Sequence, residues 1–535
     1  MWKLKDYQLS LFLQVARRGI VMTESKASGF SGIGPEKGLV RLGSLLKEID
    51  AVSIKNFNNV GVRALVWDSR QVVAGSVFFA IRGEKSDGND YINEAIQRGA
   101  IAIVTDTPAK YSKAITTVEV KDVRVSLAKF ARKYYGKADD KLHLIGVTGT
   151  NGKTTVSRIV KHLLDNEQEE CGLIGTIDYV VGKRFIPAHR TTPEVDEVCA
   201  LLAEMKEAGC DSAVMEVSSH GVHQNRVYGI NFDTVAFLNL TRDHLDYHGS
   251  MENYYNVKAS LFKGGCNPLP KNAVIDIDEP YGERLIKEMG NKVRCITVSR
   301  HKKADFEAAD IQLSSKGTIF TLYSPEGRFI VNSPFLGAYN VSNMLAGFAC
   351  AYAAGKSVKE MLARIATLPA VPGRLEIIDE GQDFLTVVDY AHTHDALDNI
   401  LHTVRSVSDG KLIVVFGCGG DRDREKRPLM METVCRYADA VWATSDNPRN
   451  EDQERIFDDM LRGVDSKTRV SFVEDRESAI FRAIATAESG DAVVIAGKGH
   501  EAFQILKNTI VPFDDRLVSR SAIREINAFK TANLE

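Results

Sequence analysis

A short apolar run, Leu142-His143-Leu144-Ile145, leads into Gly146-Val147-Thr148-Gly149-Thr150-Asn151-Gly152-Lys153-Thr154-Thr155, and a helical pattern then continues to about Leu164. Strand, glycine-bearing turn and helix in that order commit this part of the chain to an α/β layer. The turn also has a chemistry. Small glycines let successive backbone N–H groups converge on phosphate oxygens, and the helix start adds the positive end of its dipole. Lys153 can reach the outer phosphates and the Thr154 hydroxyl can ligate Mg²⁺. The spacing departs from the strict G-x-x-x-x-G-K-[ST] loop, whose first glycine would fall at Val147. Gly149 is then the additional flexible point of a variant loop, and Gly149 to Thr155 are expected to hold ATP.

At 535 residues the chain is too long for one ordinary core, and three domains are expected. Hydrophobic residues make up 44% and charged residues 26%, with a formal net charge of -3. That balance gives no electrostatic footprint for nucleic acid or an anionic membrane, so a negatively charged substrate must meet local basic groups. The eight cysteines contain no C-x-x-C pair. They read as reduced thiols of a cytoplasmic protein rather than a disulfide framework or zinc site. The apolar stretch Leu9 to Leu13 is cut short by Gln14, Arg17 and Arg18, too early for a signal peptide, and no run is long enough to span a bilayer.

Residues 1–40 differ from the rest and end in a Gly/Ser/Pro-rich stretch, so they are expected to be a poorly ordered extension. Met22 lies just before that stretch and is a candidate alternative start. A small α/β domain is expected over 41–121, with strands near 76–81 and 100–104. A central domain over 122–370 alternates apolar strands, including 212–215 and 234–238, with helices, which predicts a parallel-rich sheet. Pro372-Gly373 punctuates the next boundary. Over 371–535, strand-like runs at 385–388, 412–416, 440–443 and 492–496 are each followed by a polar loop and a helical pattern. This is a Rossmann-like arrangement whose strand-end loops are candidate sites.

Glu216 follows the 212–215 strand, and His244 lies in Asn239-Leu240-Thr241-Arg242-Asp243-His244 after the 234–238 strand. Alone, Glu216 could be a helix N-terminal carboxylate and His244 a structural histidine. Both would reach the same sheet edge as the phosphate loop, so with Thr154 they become candidate Mg²⁺ ligands.

These motifs, with Glu216-Val217-Ser218-Ser219-His220, Asp389-Tyr390-Ala391-His392-Thr393 and Gly497-Lys498-Gly499-His500-Glu501, resemble in kind and order those of the Mur ligases, the ATP-dependent amide-bond-forming family of peptidoglycan synthesis. The resemblance runs from about Arg41 to the C-terminus. It implies a UDP-binding first domain with Ser69 on the nucleotide, a P-loop-type mononucleotide-binding central domain and an amino-acid-binding Rossmann-like third domain. It also implies that Thr191, Thr192, Ser218, Gln224 and Arg226 contact a UDP-muramoyl-dipeptide and its D-Glu. Lys258 would be carried as a carbamate and help hold a second Mg²⁺. Asn340 and Asn343 would lie at the adenine side, Arg374 at the hinge near the ATP phosphates, and Asp389 and His392 against the nucleotide. Read by itself, Lys258 is an ordinary helix lysine. One position departs from the family: His394 stands where members usually carry proline, which frees φ in that loop.

The resemblance also bears on the amino acid. Asp446-Asn447-Pro448-Arg449 is similar to the segment of members that add meso-diaminopimelate, with Arg422, Gly497 and Glu501 as further contacts. An arginine suits the distal carboxylate that lysine lacks, and Asp446 or Asn447 suits the amine. Outside the family this segment is a plain Asx-Pro turn. The expected product is therefore an ATP-driven amide at the D-Glu, formed by a monomer that binds neither nucleic acid nor membrane. A ligase of the same architecture for lysine or another amino acid, and a non-catalytic nucleotide-binding scaffold, are the rivals.

Overall fold

The computed structural model describes residues 39–83, 86–107, 115–465 and 467–532. Most of the expected extension, residues 1–38 with Met22, lies outside them. Three mixed sheets follow one another along the chain. The first has the order Ala51–Lys55, Thr116–Val120, Ala102–Thr105, Ser76–Phe79, Ala64–Val66, with only the Ala51–Lys55 edge antiparallel. The helix that follows it, Val123–Tyr134, is capped by the Asp122 carboxylate on the Val125 N–H. Phe130 of that helix packs edge-on against Phe79 of the first sheet, and the helix also lies against Val195–Glu207 of the next unit. One core therefore joins the first two units.

The second sheet has eleven strands. Its seven central members run parallel in the order Cys171–Ile174, Ser212–Glu216, His143–Thr148, Thr234–Phe237, Asn272–Asp276, Arg294–Ser299, Phe306–Ser314. Side chains of a strand point alternately to opposite faces. Ile145 and Val147 accordingly pack with helices Lys153–Leu164 and Ala338–Ala353, whereas Leu144 joins the opposite core with Val195–Glu207 and Met251–Lys263. The parallel-rich sheet expected from the alternation is present in this centre. Antiparallel hairpins, Asp178–Val181 with Arg184–Pro187 and Gly317–Ser324 with Gly327–Ser333, extend both ends.

The third sheet has the order Glu376–Ile377, Leu385–Asp389, Ala492–Ala496, Leu412–Cys418, Ala440–Ser445, Arg469–Phe472. The four expected strands are its parallel centre. A separate hairpin, Phe503–Leu506 with Thr509–Pro512, precedes the final helix Asp515–Ala532. His394 is the first residue of helix His394–Arg405, with the Thr393 hydroxyl as its cap. Proline at a first helical position only pre-sets a φ that the helix imposes anyway, so histidine there preserves the loop geometry. No helix among the described residues is long and apolar enough to cross a membrane. All eight cysteines are free thiols, six of them buried.

Candidate functional site

Strand His143–Thr148 lies between Ser212–Glu216 and Thr234–Phe237, so three parallel strands open at one edge. The turn after it enters helix Lys153–Leu164 through Gly152 at φ +89°, a left-handed conformation natural to glycine. The expected flexible point, Gly149, has no positive φ. A Cβ there would lie 3.0 Å from Leu238 Cβ, so that glycine provides close approach instead. Lys153 Nζ donates to the Gly149 and Thr150 carbonyls at 2.8 and 2.9 Å. Burial pushes its pKa down, against the pull of Glu216 and Asp243.

Thr154 Oγ1 donates to Glu216 Oε2 at 2.9 Å. Thr176 completes the cradle, its Oγ1 donating to the same oxygen at 2.9 Å and its N–H to Oε1 at 2.8 Å. A buried carboxylate needs such donors. Sequence reading missed Thr176, although it lies just beyond the end of strand Cys171–Ile174 on the same sheet edge. His244, in the left-handed region at φ +53°, lines the same cavity with its ring 4.7 Å from that of His220. Lys258 is buried on helix Met251–Lys263, where Nζ donates to Gly149 O at 2.9 Å and sits 4.8 Å from the Tyr254 ring. Burial, reinforced by Lys153, holds its ammonium well below the usual lysine range. That is far from an ordinary helix lysine.

On the other side of Glu216, the Thr192 hydroxyl donates to the Glu216 carbonyl at 2.8 Å and accepts the Ser218 N–H at 3.0 Å. Arg226 Nη1 donates to Thr192 O at 3.0 Å and Nη2 to Gln224 Oε1 at 2.6 Å, and Thr191 meets Thr176 at 3.0 Å. Arg124, Arg190 and Arg226 all approach Glu194, at 3.3, 2.6 and 3.1 Å. Three cations around one carboxylate suit an anionic ligand. Arg190 and Glu194 were not singled out in the sequence, where nothing separates them from surface charges.

Apart from Lys258, Glu194 and Arg124, these groups line one cavity of about 650 Å³ that continues to Asn340, Asn343, Arg374, Asp389 and His392. Asn343 Nδ2 donates to Asn340 Oδ1 at 2.8 Å, and the Arg374 guanidinium lies 4.5 Å from the Tyr390 ring. Asp389 accepts the Leu375 and Ala391 N–H groups, each at 2.7 Å, and burial raises its pKa. Burial lowers that of His392, as does Lys426. Asn340 does not cap its helix, because Gly337 occupies that position.

The predicted amino-acid residues do not line this cavity. They form a second cluster at the carboxyl ends of the third sheet. Arg449, at φ +53°, donates through Nη1 to Gly420 O at 2.9 Å. Arg422 donates to Asp421 O at 3.2 Å, and burial and Arg422 together lower the pKa of Arg449. Asn447 Nδ2 donates to Glu501 Oε2 at 3.0 Å. A Cβ on Gly497, at φ +115°, would stand 3.0 Å from Asp446 Oδ2, while Pro448 closes the turn with its carbonyl accepting the Glu451 N–H at 3.1 Å. Tyr390 lines the cavity and its ring lies tilted against that of His500, 5.1 Å between centroids, which places it between the two clusters. Ser69 lies in the first unit, apart from both, with its hydroxyl on Glu94 at 2.8 Å and Asp68 capping the turn.

Among the described residues no group of three His, Cys, Asp or Glu side chains forms a metal site. A divalent cation at the Thr154–Glu216 pair would therefore take its further donors from His244, from the oxygens of a ligand or from a modified side chain. That is the donor chemistry Mg²⁺ accepts alongside phosphate.

Three family profiles match the chain: Mur ligase family, catalytic domain, over residues 62–135; Mur ligase middle domain, over 147–351; and Mur ligase, glutamate ligase domain, over 373–499. The UDP-N-acetylmuramoyl-L-alanyl-D-glutamate--2,6-diaminopimelate ligase of Geobacillus kaustophilus is 43% identical over 491 residues, covering 91% of this chain and 100% of the relative. The enzyme of the same name from Clostridium tetani is 42% identical over 492 residues, with the same two coverages. A solved structure of a ligase of that name matches with a TM-score of 0.67 and 36% identity, over 91% of this chain and 99% of the other.

Proposed function

The chain belongs to the Mur ligase family, and from that premise we propose that it uses ATP to join meso-diaminopimelate to the D-Glu of UDP-N-acetylmuramoyl-L-Ala-D-Glu in peptidoglycan synthesis. The observation that carries this reading is the pairing of two sites. Lys153, Thr154 and Glu216 share a cavity with an arginine-rich end, and beside it a second cluster sets Arg422 and Arg449 opposite Asp446 and Glu501.

The D-Glu γ-carboxylate, oriented by Arg226, Gln224, Ser218, Thr191 and Thr192, attacks the γ-phosphate, giving an acyl phosphate and ADP. Lys153 exchanges the loop carbonyls for phosphate oxygens and stabilises charge developing there. Thr154, Glu216, His244 and Lys258, the last as a carbamate, would hold Mg²⁺, which neutralises phosphate charge. Burial that lowers the Lys258 pKa favours the free electron pair that carbamate formation requires. Arg374, Asp389 and His392 hold the nucleotide from the third unit, and Asn340 and Asn343 from the second. Diaminopimelate, held by Arg449, Arg422, Asp446, Asn447, Gly497 and Glu501, attacks the acyl carbon through a tetrahedral intermediate and phosphate leaves. Much of the rate comes from bringing these surfaces together.

The division of labour follows the units 41–121 for the uridine diphosphate through Ser69, 122–370 for phosphoryl transfer and 371–535 for the amino acid. The protein acts as a cytoplasmic monomer. Phosphate release assayed with UDP-muramoyl-dipeptide and each amino acid tests the reading. Release with diaminopimelate and little with lysine is expected. Preference for lysine, or no turnover with any acceptor, would contradict it.

A further inference from the structure

Lys498 was not among the residues carried over from the family motif, yet it is the fully buried centre of the second cluster, with no side-chain exposure. Its Nζ stands 3.0 Å from Glu501 Oε2, 3.2 Å from Asn447 Oδ1 and 3.8 Å from Asp446 Oδ1. The Ile505 N–H also donates to Asn447 Oδ1, at 3.0 Å. Lysine and backbone N–H groups can only donate, so the Asn447 carbonyl oxygen must face them and its amide nitrogen must face Glu501. One ammonium thus fixes the Asn447 amide and one Glu501 oxygen together.

It also sets the charge of the pocket. Asp446 and Glu501 form an acidic half, Arg422 and Arg449 a basic half. A buried lysine between the carboxylates offsets one of their two negative charges, whereas Arg422 and Arg449 spend their hydrogen bonds on the neutral carbonyls of Asp421, Gly420 and Asn447. The balance then disfavours a ligand that brings an ammonium alone and favours one that brings ammonium and carboxylate on the same carbon.

We propose that Lys498 is a positioning residue that sets amino-acid specificity, so that an acceptor is taken only when its distal carbon carries both an amine and a carboxylate. This rests on the acceptor reading above. Lys498 touches Asp446, Asn447 and Glu501 and acts through them.

The test uses the full-length protein and compares K498Q and K498R with the parent. KM for diaminopimelate, L-lysine, ATP and UDP-muramoyl-dipeptide is measured, and thermal unfolding checks folding. For K498Q, the diaminopimelate-to-lysine ratio of kcat/KM should fall by about tenfold or more while KM for ATP moves less than about threefold. K498R, which keeps the charge, should retain most of the selectivity. Unchanged selectivity in folded K498Q, or an equal rise in every KM, overturns the proposal. If K498Q does not fold, loss of selectivity in K498R overturns it and retention supports it. A parent protein inactive with diaminopimelate would overturn the acceptor reading instead, and the two failures are thereby distinct.

Discussion

The Thr154 hydroxyl and the Glu216 carboxylate meet at 2.9 Å although Glu216 ends one strand and Thr154 lies in the first turn of the helix that follows its parallel neighbour. Together with Thr176 they make an oxygen-rich point at the sheet edge, where the proposed function puts phosphate and cation. E216Q keeps the shape but loses the charge. ADP formation should fall by about two orders of magnitude or more, with the remaining activity shifted to higher Mg²⁺. ADP release measured across a Mg²⁺ series checks this. Parental activity at parental Mg²⁺ demand would exclude a metal role for Glu216.

Arg449 has no anionic partner at hydrogen-bond distance in the contacts that hold it, since its Nη1 donates to carbonyls of Gly420 and Asn447. R449A should raise KM for diaminopimelate by about tenfold to a hundredfold and leave KM for ATP nearly unchanged. Steady-state kinetics with each substrate varied in turn decides it. Equal losses for both substrates would place the acceptor elsewhere.

Arg476 and Asp515 form a bidentate pair at 2.7 Å with both side chains fully buried. Arg476 also donates to the carbonyls of Ser445 and Ala496, the residues just before Asp446 and Gly497. D515A leaves a buried guanidinium without its counter-ion, which costs about 3–5 kcal/mol. Urea unfolding should show the loss, and an unchanged midpoint would mean that the acceptor loops are anchored by other contacts.

His220 and His248 lie in an aromatic cluster with His244, Tyr247 and Tyr254. Burial, helped by neighbouring histidines, pushes both imidazoles down to about 4. An unfolded histidine titrates near 6.5, so between those values the unfolded chain binds more protons than the folded one. Stability from this source is complete above about pH 6.5 and is lost as pH falls towards 4. Denaturant midpoints measured from pH 7.5 to 5 should decline, and less steeply in a variant with His248 replaced by Gln. Parallel curves for the two proteins would rule the cluster out as the cause.

What could be read from the sequence follows the range of each signal. The phosphate loop is local, and its strand, turn and helix lie where the residue pattern placed them. The common edge of Glu216 and His244 was legible because the loops that leave adjacent parallel strands open at the same edge of the sheet. Thr176 gains its meaning from Glu216, distant in sequence, while Arg190 and Lys498 lie close in sequence to Glu194 and Glu501 but owe their roles to partners brought in from elsewhere, Arg226 on Glu194 and Asn447 on Lys498. The hairpin Phe503–Leu506 with Thr509–Pro512 escaped notice because it is stabilised by the Asp446–Arg449 turn it grips, through Gln504 on the Asp446 carbonyl and the Arg449 N–H on Ile505. The separation of the acceptor cluster from the main cavity was likewise invisible, since it depends on how the second and third sheets face each other.

The central claim is that ATP energy passes through an acyl phosphate on the D-Glu γ-carboxylate. UDP-muramoyl-dipeptide labelled with ¹⁸O in that carboxylate, turned over once with ATP and diaminopimelate, tests it directly. Attack of a carboxylate oxygen on phosphorus, then of the amine on carbon, leaves one labelled oxygen in each phosphate released. Mass spectrometry of that phosphate should find one ¹⁸O per molecule, and unlabelled phosphate accompanying amide formation would contradict the account.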